Sequence, residues 1–418
     1  MTTPGDLTEL RAIAEADVYK AGQLAGHLRR ERDDVVFTYA QTYLADGATP
    51  PLAFTLPKQA VTARATGGSV PAFFAGLLPE GLRLTAITRA TRTSEDDHLS
   101  ILLAVGADTI GDVQVVPAGT APADQPALFD QTNPATTDFT TLFTRATSTD
   151  ANDLDRTALP GVQVKVSAQM ISTPVSTTRG PAILKLNPPE YPLLVENENF
   201  FLDMAEACGL RVPDHQLATD GNGRTALFIS RFDRIVENGG IRRLAQEDSC
   251  QVLGRYPAAK YRITLQEAII ALADAVTTGR GSPSLAVLQM LEIAAFSYLI
   301  GNGDLHGKNL SIRRNPDGIW EVTPAYDLLS TQPYLSWNDP MALMLYGRDA
   351  KLTYRWWTEA AVRLGVTERA IKRSLARIVA ASEPWVDRLP GIGFDDKSTH
   401  RLAALITNRR EELRQPRP

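Results

Sequence analysis

The chain has 418 residues, 44% hydrophobic and 22% charged, an ordinary globular balance that excludes wholesale disorder. It is too long for one compact core, so two or three domains are expected. Against 48 acidic side chains stand 43 basic ones, a net charge of −5, which excludes a strongly basic nucleic-acid coat.

Short strands are predicted over residues 18–20, 24–28 and 35–39, with turns at Ala21-Gly22 and along the charged run 29–34. A further short strand is read at 52–56, between prolines. Apolar clusters follow at Phe73, Phe74, Leu77, Leu78 and residues 101–105, and then a strand-like 112–116. Residues 17–118 therefore read as a small α+β unit. Residues 119–152 are rich in Pro, Thr, Ala and Asp and read as a loose linker. Beyond it, strands are expected at 163–167, 182–186 and 226–232, and a helix over 198–208 stopped by Gly209. Thr264 to Glu267 is a capping box opening the apolar run 268–276. The next helix, 285–300, carries Gln289 and Glu292; it is too short for a comfortable membrane span and reads as buried. Two strands, 310–313 and 319–322, flank a turn at 315–318, and the rest reads as helical. The fold class is α+β and two-lobed: an N-lobe over 153–245 and a helical C-lobe over 246–418, with the β-rich subdomain in front.

The N-terminal segment lacks the basic and then apolar run of a secretory signal. Cys208 and Cys250 are too few for a disulfide framework or a cysteine-only zinc site and read as buried thiols in a reducing cytosol. The expected location is cytoplasmic, with no membrane partner.

Chemistry concentrates in Gly301-Asn302-Gly303-Asp304-Leu305-His306-Gly307-Lys308-Asn309-Leu310. Asp304 and Asn309 are five residues apart, the spacing of base and metal-binding Asn in a protein-kinase catalytic loop. One carboxylate accepts the proton of a substrate hydroxyl, and an amide oxygen ligates Mg²⁺. Asp327, after the two strands, suits the second metal ligand. A bland alternative is a polar turn capping a helix. Lys185 is a lone charge in an apolar strand and calls for a counter-charge, which Glu198 could supply; the alternative is an edge-strand lysine facing water. Gly161, Gln163 and Lys165 could belong to a phosphate-covering loop, although with one glycine an ordinary turn is the better reading of these residues alone.

In order, these elements resemble the HipA-type serine/threonine kinases, toxins of bacterial toxin–antitoxin modules. The resemblance rests on Gly161-x-Gln163-x-Lys165, Lys185, Asn197-Glu198, Arg231-Phe232-Asp233-Arg234, Gln246-Glu247-Asp248, the 304–309 loop and Tyr326-Asp327. In front it rests on VYKAGQLAG at 18–26, FFAGLLPEG at 73–81 and VGADTIGDV at 105–113, and it spans roughly residues 17–390. It implies that Asp304 is the catalytic base, that Asn309 and Asp327 hold Mg²⁺, and that Lys185 meets the α/β phosphates of ATP. It also implies a hinge at Ser230, Arg231 and Phe232 whose backbone meets adenine, with Asp233, Gln246, His306 and Tyr326 lining the nucleotide pocket. His306 could instead orient Asp304. The implied substrate is an aminoacyl-tRNA synthetase; the implied partner is a helix-turn-helix antitoxin, through which operator DNA is reached. Where such kinases carry autophosphorylated serines, this chain has Ala158 and Pro160, with Thr157 and Ser167 as out-of-register hydroxyls.

The loop also resembles that of aminoglycoside and choline phosphotransferases, but those lack the front subdomain, and Asn302 stands where their loop usually has His. A third reading is a silent corepressor working with a DNA-binding partner. Basic residues Lys372, Arg373, Arg377, Arg409, Arg410, Arg414 and Arg417 could touch phosphates or form a solvated helix face.

Overall fold

The computed structural model describes residues 7–122, 130–131, 138–146, 171–177, 180–237, 240–335 and 337–416. The first unit is built on an antiparallel meander of β1 (Glu15–Lys20), β2 (Gln23–Glu31) and β3 (Asp34–Tyr39). After α1 (Gln41–Ala45) come β4 (Thr62–Ala65), α2 (Ala72–Ala75), α3 (Gly81–Thr91), α4 (His98–Val105) and β5 (Val113–Pro117). The sheet order is β4-β3-β2-β1-β5. Val18, Leu28 and Phe37 pack with Phe74, Leu99 and Leu102 to form this unit's core.

Two expectations change here. The charged run 29–34 is mostly strand: β2 continues to Glu31, and the turn shrinks to Arg32-Asp33. Arg29 pairs across strands with Glu15 at 2.9 Å and Asp34 with Arg64 at 2.8 Å, whereas Arg30 lies on the other face and pairs with Asp97 at 2.6 Å. Residues 52–56 are not a strand. Pro50, Pro51 and Pro57 have no N–H to give a ladder, and the Phe54 N–H donates instead to the Glu247 carboxylate at 3.0 Å.

The second unit contains β6 (Asp130–Gln131), α5 (Phe139–Ala146), β7 (Ile171–Thr177), β8 (Gly180–Leu186), α6 (Leu194–Ala207), β9 (His215–Thr219) and β10 (Thr225–Ser230). Its sheet order is β6-β7-β8-β10-β9. The stretch read as a loose linker therefore holds a helix. Asp138 accepts from the Thr140 N–H at 2.9 Å, Phe139 N–H donates to Asp220 at 2.9 Å, and Phe139 and Leu142 pack on Leu184 and Ala226. The surrounding Thr, Ala, Pro and Asp hid an anchor made by two apolar side chains three apart. Helix α6 starts four residues ahead of the expected position, because the Val195 N–H finds the Asn187 side chain at 2.9 Å and Leu194 and Val195 are fully buried. The strand expected at 163–167 lies outside the described residues.

A hairpin of β11 (Arg234–Glu237) and β12 (Gly240–Arg243) leads to β13 (Gln246–Asp248) and α7 (Ser249–Val252). Helices α8 (Leu265–Thr278) and α9 (Pro283–Ile300) follow, then β14 (Ser311–Arg314) and β15 (Trp320–Val322), which extend β13 into a three-stranded sheet. Thr264 and Glu267 form the capping box that starts α8. Helix α9 is long and apolar enough to cross a membrane. Here Met290, Leu291, Ala294 and Phe296 are wholly buried in the C-lobe core, as an all-round apolar helix requires. Helices α10 (Tyr354–Arg363), α11 (Glu368–Ala381) and α12 (Asp396–Leu413) complete that lobe. The fold is α+β and two-lobed, with a β-rich unit against both lobes.

Candidate active site

A cavity opens where the three parts meet. Gly76, Leu77, Glu80 and Ile110 wall it from the first unit, Ile183, Lys185, Ile229 and Phe232 from the N-lobe, and Gln246, Asp248, His306, Asn309, Tyr326 and Asp327 from the C-lobe.

Lys185 lies in central strand β8 and is 6% exposed. Its ammonium donates to both oxygens of Glu198 at 2.7 and 2.8 Å and to Asp327 Oδ1 at 2.5 Å. Burial alone would depress the lysine, but the two carboxylates overcome it and hold its pKa above the ordinary value. Burial in turn pushes the Glu198 carboxyl up, against the pull of Lys185. Asp327 differs from Glu198: its side chain is 28% exposed, and its backbone sits in the left-handed region at φ +53°. That conformation is costly for a non-glycine residue. It is held by the Lys185 contact and by the Asn302 side chain, which donates to the Asp327 carbonyl at 3.1 Å.

The 301–310 loop is threaded between α9 and β14. Asn302 Oδ1 accepts from the Asp304 N–H at 2.8 Å, and Asn309 Nδ2 donates to the Asp304 carbonyl at 3.0 Å. The Asn309 amide oxygen is thus the end left for a cation. A Cβ on Gly303 would lie 1.8 Å from Asp339 Oδ2, so a larger residue there needs the Asp339 side chain to shift. Asp304 is 1% exposed, and its Oδ1 accepts from the Tyr261 hydroxyl at 2.6 Å. His306 lines the cavity, and its ring also stands edge-on to Tyr261, with centroids 5.2 Å apart. Tyr326 OH donates to the Lys308 carbonyl at 2.7 Å, and its ring packs against that of Phe232 with centroids 5.7 Å apart.

The hinge residues divide. Only the Phe232 side chain of this segment lines the cavity. The N–H groups of Ser230 and Arg231 are already given to the carbonyls of Asp214 and Pro181, at 2.8 and 3.0 Å. Arg231 and Asp233 turn away from the cavity into a buried ion cluster with Arg234, Arg243 and Asp108 of the first unit. The physical reason is pairing: two carboxylates there accept from three guanidinium groups that would otherwise be buried unpaired. Asp233 also accepts from the Gly111 N–H at 2.9 Å, so the cluster welds the first unit to the hinge. The arginines hold Asp108 near pKa 2 despite burial.

The roles of two residues carried no signal in the sequence. Glu80, from the first unit, reaches between Lys260 and Lys308, with the Lys308 pair at 2.8 Å. Lys308 also donates to the Gly76 carbonyl at 3.0 Å. Tyr261 is the second; its hydroxyl is pushed far above the usual phenol range by burial and by the Asp304 charge, so it stays a donor. A lone Glu in LLPEG and a Tyr between a Lys and an Arg have no pattern that foretells contacts across 180 and 43 residues.

Gly161, Gln163 and Lys165 lie outside the described residues, as do Thr157, Ala158, Pro160 and Ser167. The basic C-terminal residues are largely used internally: Arg410 with Glu383 at 3.1 Å, Arg377 with Glu292 at 2.7 Å and Lys372 with Glu368 at 2.5 Å. Arg417 is outside the described residues. Both cysteines are buried free thiols.

The donor set of Asp327 and Asn309 is oxygen only, which suits Mg²⁺ completed by phosphate oxygens. Among the described residues no three His, Cys, Asp or Glu side chains group as metal ligands.

Residues 16–116 match the family model of the HipA N-terminal domain, and residues 157–386 that of the HipA-like C-terminal domain. A curated relative, the putative kinase Y4mE of Sinorhizobium fredii, is 31% identical over 388 residues, covering 89% of this chain and 91% of that protein. The serine/threonine-protein kinase toxin HipA of Shewanella oneidensis is 27% identical over 337 residues, 75% of each chain. Among solved structures, the Shewanella oneidensis HipA complex with HipB and operator DNA matches with a TM-score of 0.71 at 22% identity, over 95% of this chain and 96% of that one.

Proposed function

The chain belongs to the HipA kinase family, and from that premise we propose that it is an ATP- and Mg²⁺-dependent serine/threonine-protein kinase acting as a toxin in the cytoplasm. The observation that carries this is that Lys185 and Asp327 of the Lys185–Glu198–Asp327 trio line one cavity together with His306 and Asn309 of the Asp304–Asn309 loop. ATP is the phosphoryl donor. Lys185 neutralises its α/β phosphates, Phe232 and Tyr326 give the base apolar faces, and Asp327 with Asn309 would hold Mg²⁺. When bound, that ion neutralises charge developing on the β and γ phosphates. Asp304 orients a protein hydroxyl and takes its proton, so the chemistry is positioning and charge neutralisation without a covalent enzyme intermediate.

The acceptor proposed is an aminoacyl-tRNA synthetase, whose modification stops charging and growth. A helix-turn-helix antitoxin restrains the kinase and carries it to operator DNA; the relative solved with HipB and operator DNA supports that reading. With Ala158 and Pro160 in the loop, phosphoserine control at those positions is ruled out; the protein lacks that brake or relies on another one, such as the antitoxin. A small-molecule phosphotransferase fits less well, because the first unit supplies a wall of the cavity. The test is transfer of labelled phosphate from ATP to a panel of synthetases, with and without tRNA, by wild type and Asp304→Asn. A labelled synthetase that disappears with the variant is the expected result. Label on a small-molecule acceptor instead would overturn the protein-kinase reading.

A further inference from the structure

Tyr261 lies in the loop before α8, apart from every segment that supplied the site above. Its hydroxyl reaches Oδ1 of Asp304 at 2.6 Å. A carboxylate with one oxygen held by a fixed donor cannot spin about its last torsion, so the other oxygen is aimed. The phenol is itself fixed. The carbonyl of neighbouring Lys260 accepts from the Gly307 N–H at 3.0 Å, which ties this loop to the catalytic one. The ring packs edge-on against His306 at 5.2 Å, and the Lys260 ammonium lies 5.5 Å from the ring centroid, within cation–π reach. Lys260, 1% exposed, is in turn paired with Glu80 of the first unit.

We infer that Tyr261 is a positioning residue that aims the Asp304 carboxylate at the acceptor hydroxyl, and that Glu80 of the N-terminal unit braces it there through Lys260. This rests on the reading of Asp304 as the base. It makes the first unit part of the machinery that orients the base, as well as a wall of the cavity.

The experiment compares wild type, Tyr261→Phe, Glu80→Gln, Asp304→Asn and the double variant Tyr261→Phe/Asp304→Asn. Transfer of labelled γ-phosphate into a desalted bacterial extract and to water is followed at varied ATP, with melting curves as a folding control. Tyr261→Phe should lower kcat by about 10- to 100-fold with KM for ATP unchanged. Glu80→Gln should lower it in the same direction by less. In the Asp304→Asn background, loss of the Tyr261 hydroxyl should add nothing, because the two act as a unit. If Asp304→Asn is inactive while Tyr261→Phe keeps wild-type kcat, the inference falls and the base assignment stands. The inference falls equally if the two losses multiply. If Asp304→Asn transfers phosphate as the wild type does, the reading of the site itself falls, and the inference with it.

Discussion

Arg231, Arg234 and Arg243 close on Asp108 and Asp233 at 2.6 to 3.0 Å, whereas Lys185 closes on Glu198 and leaves Asp327 partly open to the cavity. Both clusters are buried charge on the same N-lobe, and both span distant parts of the chain. The difference lies in saturation. At the hinge, Asp233 accepts from two guanidinium groups and a backbone N–H, and its backbone is unstrained. In the cleft, one carboxylate is fully enclosed, and the other is 28% exposed on a left-handed backbone. A cluster that spends all its hydrogen bonds internally holds parts together. One that keeps an anionic oxygen toward a cavity is prepared for a ligand.

Substitutions should separate the two. Asp327→Asn is expected to reduce phosphoryl transfer by roughly 10³-fold while the melting temperature stays close to that of the wild type, read by labelled transfer and calorimetry. Arg231→Met should do the reverse. It strips Asp108, Asp233 and the Thr109 carbonyl of buried guanidinium hydrogen bonds and should cost about 3 kcal/mol of stability in urea denaturation. A variant that folds normally would show that the hinge cluster is not what fastens the first unit.

Acid should loosen the hinge only after the raised Glu198 carboxyl of the lysine trio has taken its proton. Asp108 has its folded pKa depressed from 3.8 to about 2, so its contribution is complete above pH 3.8 and is lost as pH falls toward 2. That contribution is about 2 kcal/mol, and the acid limb of the stability curve should flatten in Asp108→Asn. A wider shift has the opposite sign. Burial pushes the Glu247 carboxyl up to about 8. The fold therefore keeps a proton that the unfolded chain releases above pH 4.5, and stability declines as pH rises from there to about 8. Glu247→Gln should remove that decline while its amide oxygen still accepts from Phe54. An unchanged pH curve would mean that the carboxyl is solvated in solution.

What the sequence made legible follows from locality. The meander at residues 15–39 was readable because alternation and turns lie within a few residues of one another. The pairing of Lys185 with Glu198 was readable because a lone lysine in an apolar strand demands a counter-charge, and the next helix offers one. The loop from Asp304 to Asn309 carries its geometry in its spacing. The helix at Phe139–Ala146 was hidden by its polar surroundings. The fate of Arg231 and Asp233 was hidden because their partner, Asp108, lies 123 residues from Arg231 and belongs to another unit. Tyr261 and Glu80 were hidden for the same reason: long-range polar contacts leave no periodicity.

The wall that the first unit contributes bears on how deletion experiments are interpreted. A chain shortened to start near residue 153 would lose Gly76, Leu77, Glu80 and Ile110 from the cavity. It would also strip Asp108 from three arginines and Glu80 from two lysines. Inactivity of such a fragment would then report an unroofed cleft and stranded cations. Genetic complementation in trans by residues 7–122 would have to rebuild a buried ionic seam, and not merely tether an accessory module.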